Sequence, residues 1–179
     1  VGDPHGERVL LDIGDHAVDP SGGHHQVAFL DRLDELFVIL LPLLFRVEIT
    51  GQENFPRRGP LLVVGNHTAA MEVVLLYILS PWQVEFLSSA DIPPEPIIST
   101  LSSLIGVIDL HRGHFDRTAL NSALEILRQN GVIGLFPEGG IWQKGEKKAQ
   151  SGVAWLSYRG EAPVLPIGFS DTRGMLNQA

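Results

Sequence analysis

The sequence predicts an α/β fold with a mainly parallel central sheet flanked by helices. Short apolar runs, which are typical of buried strands, alternate with segments of helical periodicity along most of the chain. A strand–helix–strand order favours parallel pairing of successive strands, because the helix returns the chain to the same edge of the sheet. We expect helices on both faces of this sheet and polar residues gathered at the carboxyl ends of its strands.

The predicted elements follow one another between residues 47 and 168. The run Leu61–Val64 begins after Gly59-Pro60 and predicts a buried strand. The clearest helix spans residues 116–130, with Asp116 as its N-cap, an apolar stripe at helical spacing and Asn130-Gly131 at its end. The predicted strands are 47–50, 61–65, 84–88, 107–110, 132–136 and 164–168. The predicted helices are 71–80, 95–104, 116–130 and 149–159.

The last predicted strand contains a proline, Pro166. Proline has no backbone N–H, so prolines in sheets are confined to edge strands and irregular positions. We therefore expect this strand at an edge of the sheet, or with an irregular end.

The first 46 residues divide into two predicted segments. Residues 1–25 mix Gly, Pro, Asp and His around a small apolar nucleus, Val9-Leu10-Leu11, and are predicted to be poorly organised. Residues 26–46 contain ten unbroken apolar residues, which as a helix would cover about 15 Å, half of a bilayer's hydrocarbon core. A single membrane span is therefore not expected. Two interpretations remain, a core helix or a monotopic helix that enters one leaflet.

Composition excludes some classes of function. The formal net charge is −8 and no basic stripe is present, which argues against a nucleic-acid partner. The chain has no cysteine, so disulfides and thiolate sites are excluded. Neither a Walker loop nor a Gly-x-Gly-x-x-Gly motif occurs. The chain has 179 residues and 44% hydrophobic content, which is enough for one domain with a sizeable core. We place this domain at residues 47–179.

A histidine and a carboxylate follow the apolar strand 61–65. His67 lies at the predicted strand-to-helix turn, and Glu72 lies about one helical turn further on. Glu72 can hold one ring nitrogen of His67 and leave the other free to accept a proton from a hydroxyl. No Gly-x-Ser-x-Gly elbow supplies a nucleophile, which suggests that the substrate's own hydroxyl attacks. The same spacing also occurs as a plain helix-start contact without a catalytic role.

Two further strands end in polar residues. Arg112 follows strand 107–110, where its planar guanidinium could grip a phosphate or remain a solvated loop side chain. Strand 132–136 ends in Pro-Glu-Gly-Gly, and backbone amides at Gly139 and Gly140 could approach an anion closely. Glu138 could orient Arg112 or a substrate hydroxyl. An ordinary turn is the competing interpretation.

Taken in order, four segments resemble the sequence blocks of the glycerolipid acyltransferase family, which includes lysophosphatidic acid and glycerol-phosphate acyltransferases. The family pattern is Asn-His-x-x-x-x-Asp, Gly-x-Ile-x-x-x-Arg, Phe-Pro-Glu-Gly and a Val/Ile-Pro-Ile/Val strand. The resemblance covers roughly residues 45–170. The matching segments are Asn66-His67-x-x-x-x-Glu72, Gly106-x-Ile108-x-x-x-Arg112, Phe136-Pro137-Glu138-Gly139 and Leu165-Pro166-Ile167.

The resemblance implies transfer of a fatty acyl group from a thioester, acyl-CoA or acyl-carrier protein, to a hydroxyl of a lysophosphatidic acid-like glycerolipid. His67 would be the general base, with Glu72 as its catalytic partner, and no metal or organic cofactor is implied. The chain departs from the pattern at Glu72, where the family usually has Asp. The substrate-binding candidates implied are Asn66, Arg112, Glu138, Gly139 and Gly140.

Access to lipid substrates favours the membrane-associating interpretation of residues 26–46, at the cytoplasmic face of a membrane. Two alternatives differ in what they predict. A thioesterase or esterase, in which His67 activates water, would consume thioester without an acceptor alcohol. A non-catalytic lipid-binding relative would bind lipid without turnover.

Overall fold

The computed structural model describes residues 8–13, 46–57, 59–69, 71–89, 107–111, 116–139 and 149–172. Within these ranges seven strands form a single sheet, three α-helices pack against it, and a short 3-10 turn spans Gln52–Asn54. The strands are β1 (Arg8–Ile13), β2 (Arg46–Thr50), β3 (Leu61–Gly65), β4 (Val84–Ser89), β5 (Val107–Leu110), β6 (Val132–Leu135) and β7 (Val164–Phe169). The helices are α1 (Met71–Leu79), α2 (Arg117–Arg128) and α3 (Gly152–Gly160).

The predicted mainly parallel sheet is confirmed. The strand order is β2-β1-β7-β3-β6-β4-β5, and the five strands from β7 to β5 are all parallel. β1 runs antiparallel to β7 and parallel to β2, so the first two strands point the opposite way from the other five. The carboxyl ends of β3, β4, β5, β6 and β7 therefore share one edge of the sheet.

The sheet is covered on both faces, as predicted. Successive side chains of a strand point to opposite faces. On one face, Leu61 and Val63 of β3 belong to a hydrophobic core with Leu75 and Leu76 of α1. On the other face, Leu62 belongs to a core built with α2 and α3. β3 is thus buried from both sides, which explains its continuous apolar sequence.

Helix α2 begins where its capping residue predicts. The Asp116 Oδ1 atom accepts hydrogen bonds from the Thr118 and Ala119 amides, each at 3.1 Å. These bonds satisfy two of the amides that a helix start leaves unpaired. At the other end, the helix ends at Arg128, and Asn130 two residues later adopts a left-handed φ of 61°.

One of the two positions predicted for the proline-containing strand, an edge of the sheet, was wrong. β7 lies inside the sheet, between β1 and β3, not at an edge. Because Leu62 donates to the Pro163 carbonyl on the β3 side, alternation along the strand turns the nitrogen of Pro166 toward β1. The pairing of β1 with β7 ends at Ile13 and Ile167, next to that missing donor. The proline is tolerated there because the ladder has already stopped.

A second correction concerns residues 8–13 of the segment 1–25, which was predicted to be poorly organised. Residues 8–13 of that segment form β1, which pairs with β2 and β7. The apolar nucleus Val9-Leu10-Leu11 lies in this strand. Its partners are more than thirty residues away along the chain, so the local composition gave little sign of them.

Several predicted features lie outside the described residues. These are the apolar segment up to residue 45, the helix 95–104, Arg112 and Gly140. Among the helices that the structure describes, none has the length and apolar character needed to cross a membrane.

Candidate active site

The candidate site lies at the carboxyl edge of the parallel strands. β3 ends at Gly65, and His67 follows two residues later, before α1 begins at Met71. The neighbouring strand β6 ends at Leu135 and leads into the Glu138 turn. Open α/β sheets bind their ligands at this edge, because the loops after parallel strands converge there.

His67 and Glu72 form a buried pair. The Nδ1 atom of His67 lies 2.9 Å from Oε2 of Glu72. The His67 side chain is 11% exposed and that of Glu72 is fully buried. The contact predicted from their spacing therefore forms with Glu in the position where the family pattern has Asp. Glu72 lies in the first turn of α1, from which its longer side chain reaches back to the imidazole.

The carboxylate of Glu72 accepts hydrogen bonds on both oxygens. Oε2 also accepts from the Thr68 amide at 2.7 Å, while Oε1 accepts from the Thr68 and Thr172 hydroxyls. Burial alone would raise the pKa of Glu72. The hydrogen bonds from these side chains, from His67 and from the Ala69 amide outweigh burial and lower the pKa below its ordinary value. Glu72 is therefore ionised at neutral pH.

The charge of Glu72 fixes the proton on the imidazole. An ionised carboxylate can only accept, so Nδ1 of His67 donates to it, and in the neutral imidazole the lone pair is then on Nε2. Within the described part of the chain, Nε2 has no hydrogen-bond partner. An imidazole held in this way can remove a proton from a hydroxyl placed at Nε2.

An aromatic ring covers one face of the histidine. Phe136, the first residue after β6, stacks on His67 with ring centroids 4.4 Å apart and an interplanar angle of 21°. A Cβ atom at Gly65 would lie 2.9 Å from the Phe136 ring and 2.8 Å from the Phe169 ring. The absence of a side chain at Gly65 therefore leaves room for the ring that packs on His67.

Asn66 connects the ends of two strands. Its Nδ2 atom donates to the Phe169 carbonyl at 2.9 Å, and its Oδ1 atom accepts from the Phe169 amide at 2.6 Å. This reciprocal pair of bonds fastens the end of β3 to the end of β7. In the structure Asn66 thus has a bracing contact, and its predicted contact with substrate stays a prediction.

Glu138 lies in the turn that follows β6. Gly139 closes this turn by donating its amide to the Phe136 carbonyl at 3.0 Å, with a left-handed φ of 68° that favours glycine. The Oε2 atom of Glu138 is buried, and no group among the described residues bonds to it. A buried carboxylate oxygen without a partner is costly, so this atom is suited to accept a hydrogen bond from a ligand or a cation.

The structure brings together some of the predicted residues. His67 and the Glu138 turn share the carboxyl edge and are joined through Phe136. Arg112 was predicted at the same edge and β5 ends there at Leu110, but Arg112 and Gly140 are outside the described residues.

Sequence reasoning missed two residues of the site. Thr68 and Thr172 both bond to the Glu72 carboxylate. Thr68 could have been noticed as a hydroxyl next to His67. Thr172 gave no local signal, because it lies 100 residues after Glu72 in the chain and reaches it only through the position of β7 in the sheet.

A second histidine–carboxylate pair lies after β5. The Nδ1 atom of His111 lies 3.1 Å from Oδ2 of Asp116, again across five positions, and the His111 amide donates to the same oxygen at 3.2 Å. The side chain of His111 is 68% exposed. The pKa of Asp116 is lowered to about 2, first by the Ala119 amide and then by the amide and ring of His111.

Comparison with known proteins finds one matching family over most of the chain. A family model described as acyltransferase matches residues 46–170. The match begins at β2 and ends just after β7, so it includes every residue described above as part of the site except Thr172.

The individual relatives have low sequence identity to this chain. The chain is 24% identical over 130 residues to a 1-acyl-sn-glycerol-3-phosphate acyltransferase of Borreliella burgdorferi, covering 71% of this chain and 52% of that protein. It is 28% identical over 186 residues to uncharacterized proteins of Mycobacterium bovis and Mycobacterium tuberculosis, covering 91% of this chain and 48% of each. The chain thus spans about half the length of the curated relatives it matches.

A solved structure has the same fold. The crystal structure of the 1-acyl-sn-glycerophosphate (LPA) acyltransferase PlsC from Thermotoga maritima matches with a TM-score of 0.58 and 15% sequence identity. The match covers 83% of this chain and 73% of the other.

Proposed function

The chain belongs to the acyltransferase family, and from this premise we propose that it transfers a fatty acyl group from a thioester to a hydroxyl of a lysophosphatidic acid-like glycerolipid. One observation carries the proposal. His67 is buried, held by an ionised carboxylate at Nδ1 and open at Nε2. This is a base that lacks a cysteine nucleophile, since the chain has none, and it suits activation of a substrate hydroxyl.

In the proposed reaction, Nε2 of His67 removes the proton of the acceptor hydroxyl as its oxygen attacks the thioester carbonyl. The Nδ1–H bond to Glu72 stabilises the imidazolium that forms. The tetrahedral intermediate then collapses, the carbon–sulfur bond breaks, and the thiolate takes the proton from the imidazolium. The products are the new ester and the free thiol, and His67 returns to its starting state.

We assign acceptor binding to the turn after β6. The unpartnered Oε2 of Glu138 supports a role for this residue in holding an acceptor hydroxyl or orienting Arg112. The amides near Gly139 and Gly140, with the Arg112 guanidinium, would face the acceptor's phosphate, since such groups match phosphate oxygens. Asn66 would act at this edge through the end of β3.

The donor and the location complete the proposal. We propose acyl-CoA or acyl-carrier protein as the donor, with no other cofactor, and phospholipid biosynthesis as the setting. The enzyme would work at the cytoplasmic face of a membrane as a peripheral or monotopic protein, because its acceptor is an amphiphile that resides there. The apolar residues 26–46 are the proposed membrane-associating segment.

The test is release of free thiol from a long-chain acyl-CoA, or from acyl-carrier protein, with and without lysophosphatidic acid. A chain without cysteine contributes no thiol background in the acyl-CoA assay. Thiol release that requires the acceptor, with phosphatidic acid as product, would support the proposal. Acceptor-independent release with free fatty acid would identify a thioesterase. Lipid binding that survives His67→Ala without turnover in either protein would identify a non-catalytic relative.

A further inference from the structure

The Glu72 carboxylate is held by two threonine hydroxyls that are 104 residues apart in the sequence. Thr68 follows His67 directly, while Thr172 follows β7. We propose that Thr172, together with Thr68, is a positioning residue that fixes the Glu72 carboxylate so that its other oxygen holds His67 in the base form. The proposal rests on the proposed function, in which His67 is the general base.

The distances define the arrangement. The Thr172 hydroxyl lies 2.7 Å from Oε1 of Glu72, and the residue is 1% exposed. The Thr68 hydroxyl bonds to the same oxygen, and the two hydroxyl oxygens are 3.1 Å apart. A hydroxyl has one proton to give. Both protons are used on Oε1, because an ionised carboxylate is the stronger acceptor.

The Thr68 and Thr172 hydroxyls together form a clamp on Oε1 of Glu72. The two oxygens of Glu72 have different partners, which explains why this clamp matters to His67. Oε1 takes the hydroxyls, and Oε2 takes the Thr68 amide and Nδ1 of His67. The terminal torsion of a glutamate side chain is soft, so the carboxylate could otherwise rotate away from the imidazole. Two hydroxyl donors on one side hold the plane of the carboxylate and aim Oε2 at Nδ1.

The same clamp accounts for a glutamate in the position where the family pattern has aspartate. Glutamate has one more methylene and one more rotatable bond, which adds reach and freedom together. The reach brings Oε1 to Thr172, which lies on a different element from His67. The threonines then remove the freedom. Glu72, Thr68 and Thr172 thus form one unit that positions the base.

The experiment compares Thr172→Val, which removes the hydroxyl at nearly constant shape, with Thr172→Ser, which keeps it. The exposed Thr118→Val is the matched control. We expect kcat for acceptor-dependent thiol release to fall about tenfold in the valine variant, with both KM values within about twofold of wild type. The serine variant should recover most of the rate, and Thr118→Val should match wild type. Thr172→Ala replaces the valine variant if the latter does not fold.

A second readout requires no turnover. Nitrogen-15 NMR of the ligand-free protein reports which imidazole nitrogen of His67 carries the proton. We expect Nδ1 protonation in wild type and in Thr172→Ser, and a mixture of tautomers in Thr172→Val. An unchanged tautomer in the valine variant would overturn the proposal, as would a serine variant as slow as the valine variant. If wild type has no acceptor-dependent activity, the proposed function fails while the tautomer measurement still decides the role of Thr172.

Discussion

The described part of the chain contains two histidine–carboxylate pairs with the same spacing and different surroundings. His67–Glu72 follows β3 and His111–Asp116 follows β5, each across five positions at the start of a helix. In both, Nδ1 faces a carboxylate oxygen, at 2.9 Å and 3.1 Å. In both, the carboxylate also binds a backbone amide at the turn, that of Thr68 or His111. Local geometry alone does not distinguish them.

The two pairs differ in the hydrogen-bond partners of the carboxylate and in the exposure of the histidine. The Oδ1 atom of Asp116 accepts hydrogen bonds from the amides that begin α2, and the side chain of His111 is exposed to solvent. Glu72 is fully buried, and its Oε1 atom is held by two hydroxyls. The His111–Asp116 pair is a helix N-cap whose carboxylate also contacts a histidine. In the His67 pair, buried polar groups hold the imidazole in one orientation, which is what a general base requires.

The five-residue spacing is a property of the strand-to-helix turn, since it occurs in both pairs. Any carboxylate in the first turn of a helix can reach back to a side chain at the end of the preceding strand. The His67 pair differs by its burial and by the Thr172 hydroxyl, which follows β7 and bonds to Glu72. The sequence left two interpretations open, a catalytic pair and a helix-start contact; the His111 pair fits the second, and we propose the first for the His67 pair.

Exchanging the two carboxylate residues tests most directly whether the two pairs have different roles. In Glu72→Asp the side chain loses a methylene and cannot reach both His67 and Thr172, so we expect kcat to fall about tenfold. Asp116→Glu should leave kcat within about twofold of wild type, because no reacting group depends on that carboxylate. Steady-state kinetics of thiol release measure both. A Glu72→Asp variant faster than wild type would contradict the role of the longer side chain.

The sequence predicted the local parts of this arrangement and missed the distant ones. β3, β5, β6 and α2 were predicted closely because their apolar periodicity and caps lie within the elements themselves. The contact between His67 and Glu72 was predicted because the turn that joins them is short. Thr172 could not be predicted, because its contact depends on β7 lying next to β3 in the sheet.

The strand β1 was missed for a related reason. Its six residues pair with β2 on one side and β7 on the other, and both partners are far away in sequence. Strand formation there is decided by the sheet and not by local propensity. The interior position of Pro166 was unexpected because the register that makes it harmless is also a property of the whole sheet.

Packing beside His67 gives a smaller effect on the same region. Gly65→Ala would place a methyl group against the Phe136 and Phe169 rings, so we expect a loss of about 1–3 kcal/mol in the free energy of unfolding. It should also lower kcat, since Phe136 stacks on His67. Gly152→Ala is the control, because among the described residues no atom beyond its chain neighbours and the backbone of its own helix lies within 4 Å of the added Cβ. Urea unfolding that shows equal stability for both variants would contradict the close packing at Gly65.

The smallest expected effect concerns Asp116, the partner of the exposed His111, and it is an effect on stability and not on rate. The folded-state pKa of Asp116 is about 2, against an ordinary value of 3.8, so its charge stabilises the fold above pH 3.8. That contribution disappears as the pH falls toward 2. Asp116→Asn should therefore melt about 2–4 °C below wild type at pH 7, and the difference should shrink below pH 3.8. A difference that is independent of pH would show that the charge of Asp116 is unimportant.

The most direct measurement is the kcat of acceptor-dependent thiol release for His67→Ala and His111→Ala, assayed in parallel with wild type. Loss of a general base typically costs about 10²–10⁴ in rate, and we predict a loss of that size for His67→Ala. We predict a change of less than about threefold for His111→Ala, since its ring stands in solvent. Equal losses in the two variants, or a His67→Ala variant near the wild-type rate, would contradict the assignment of the buried pair as the base.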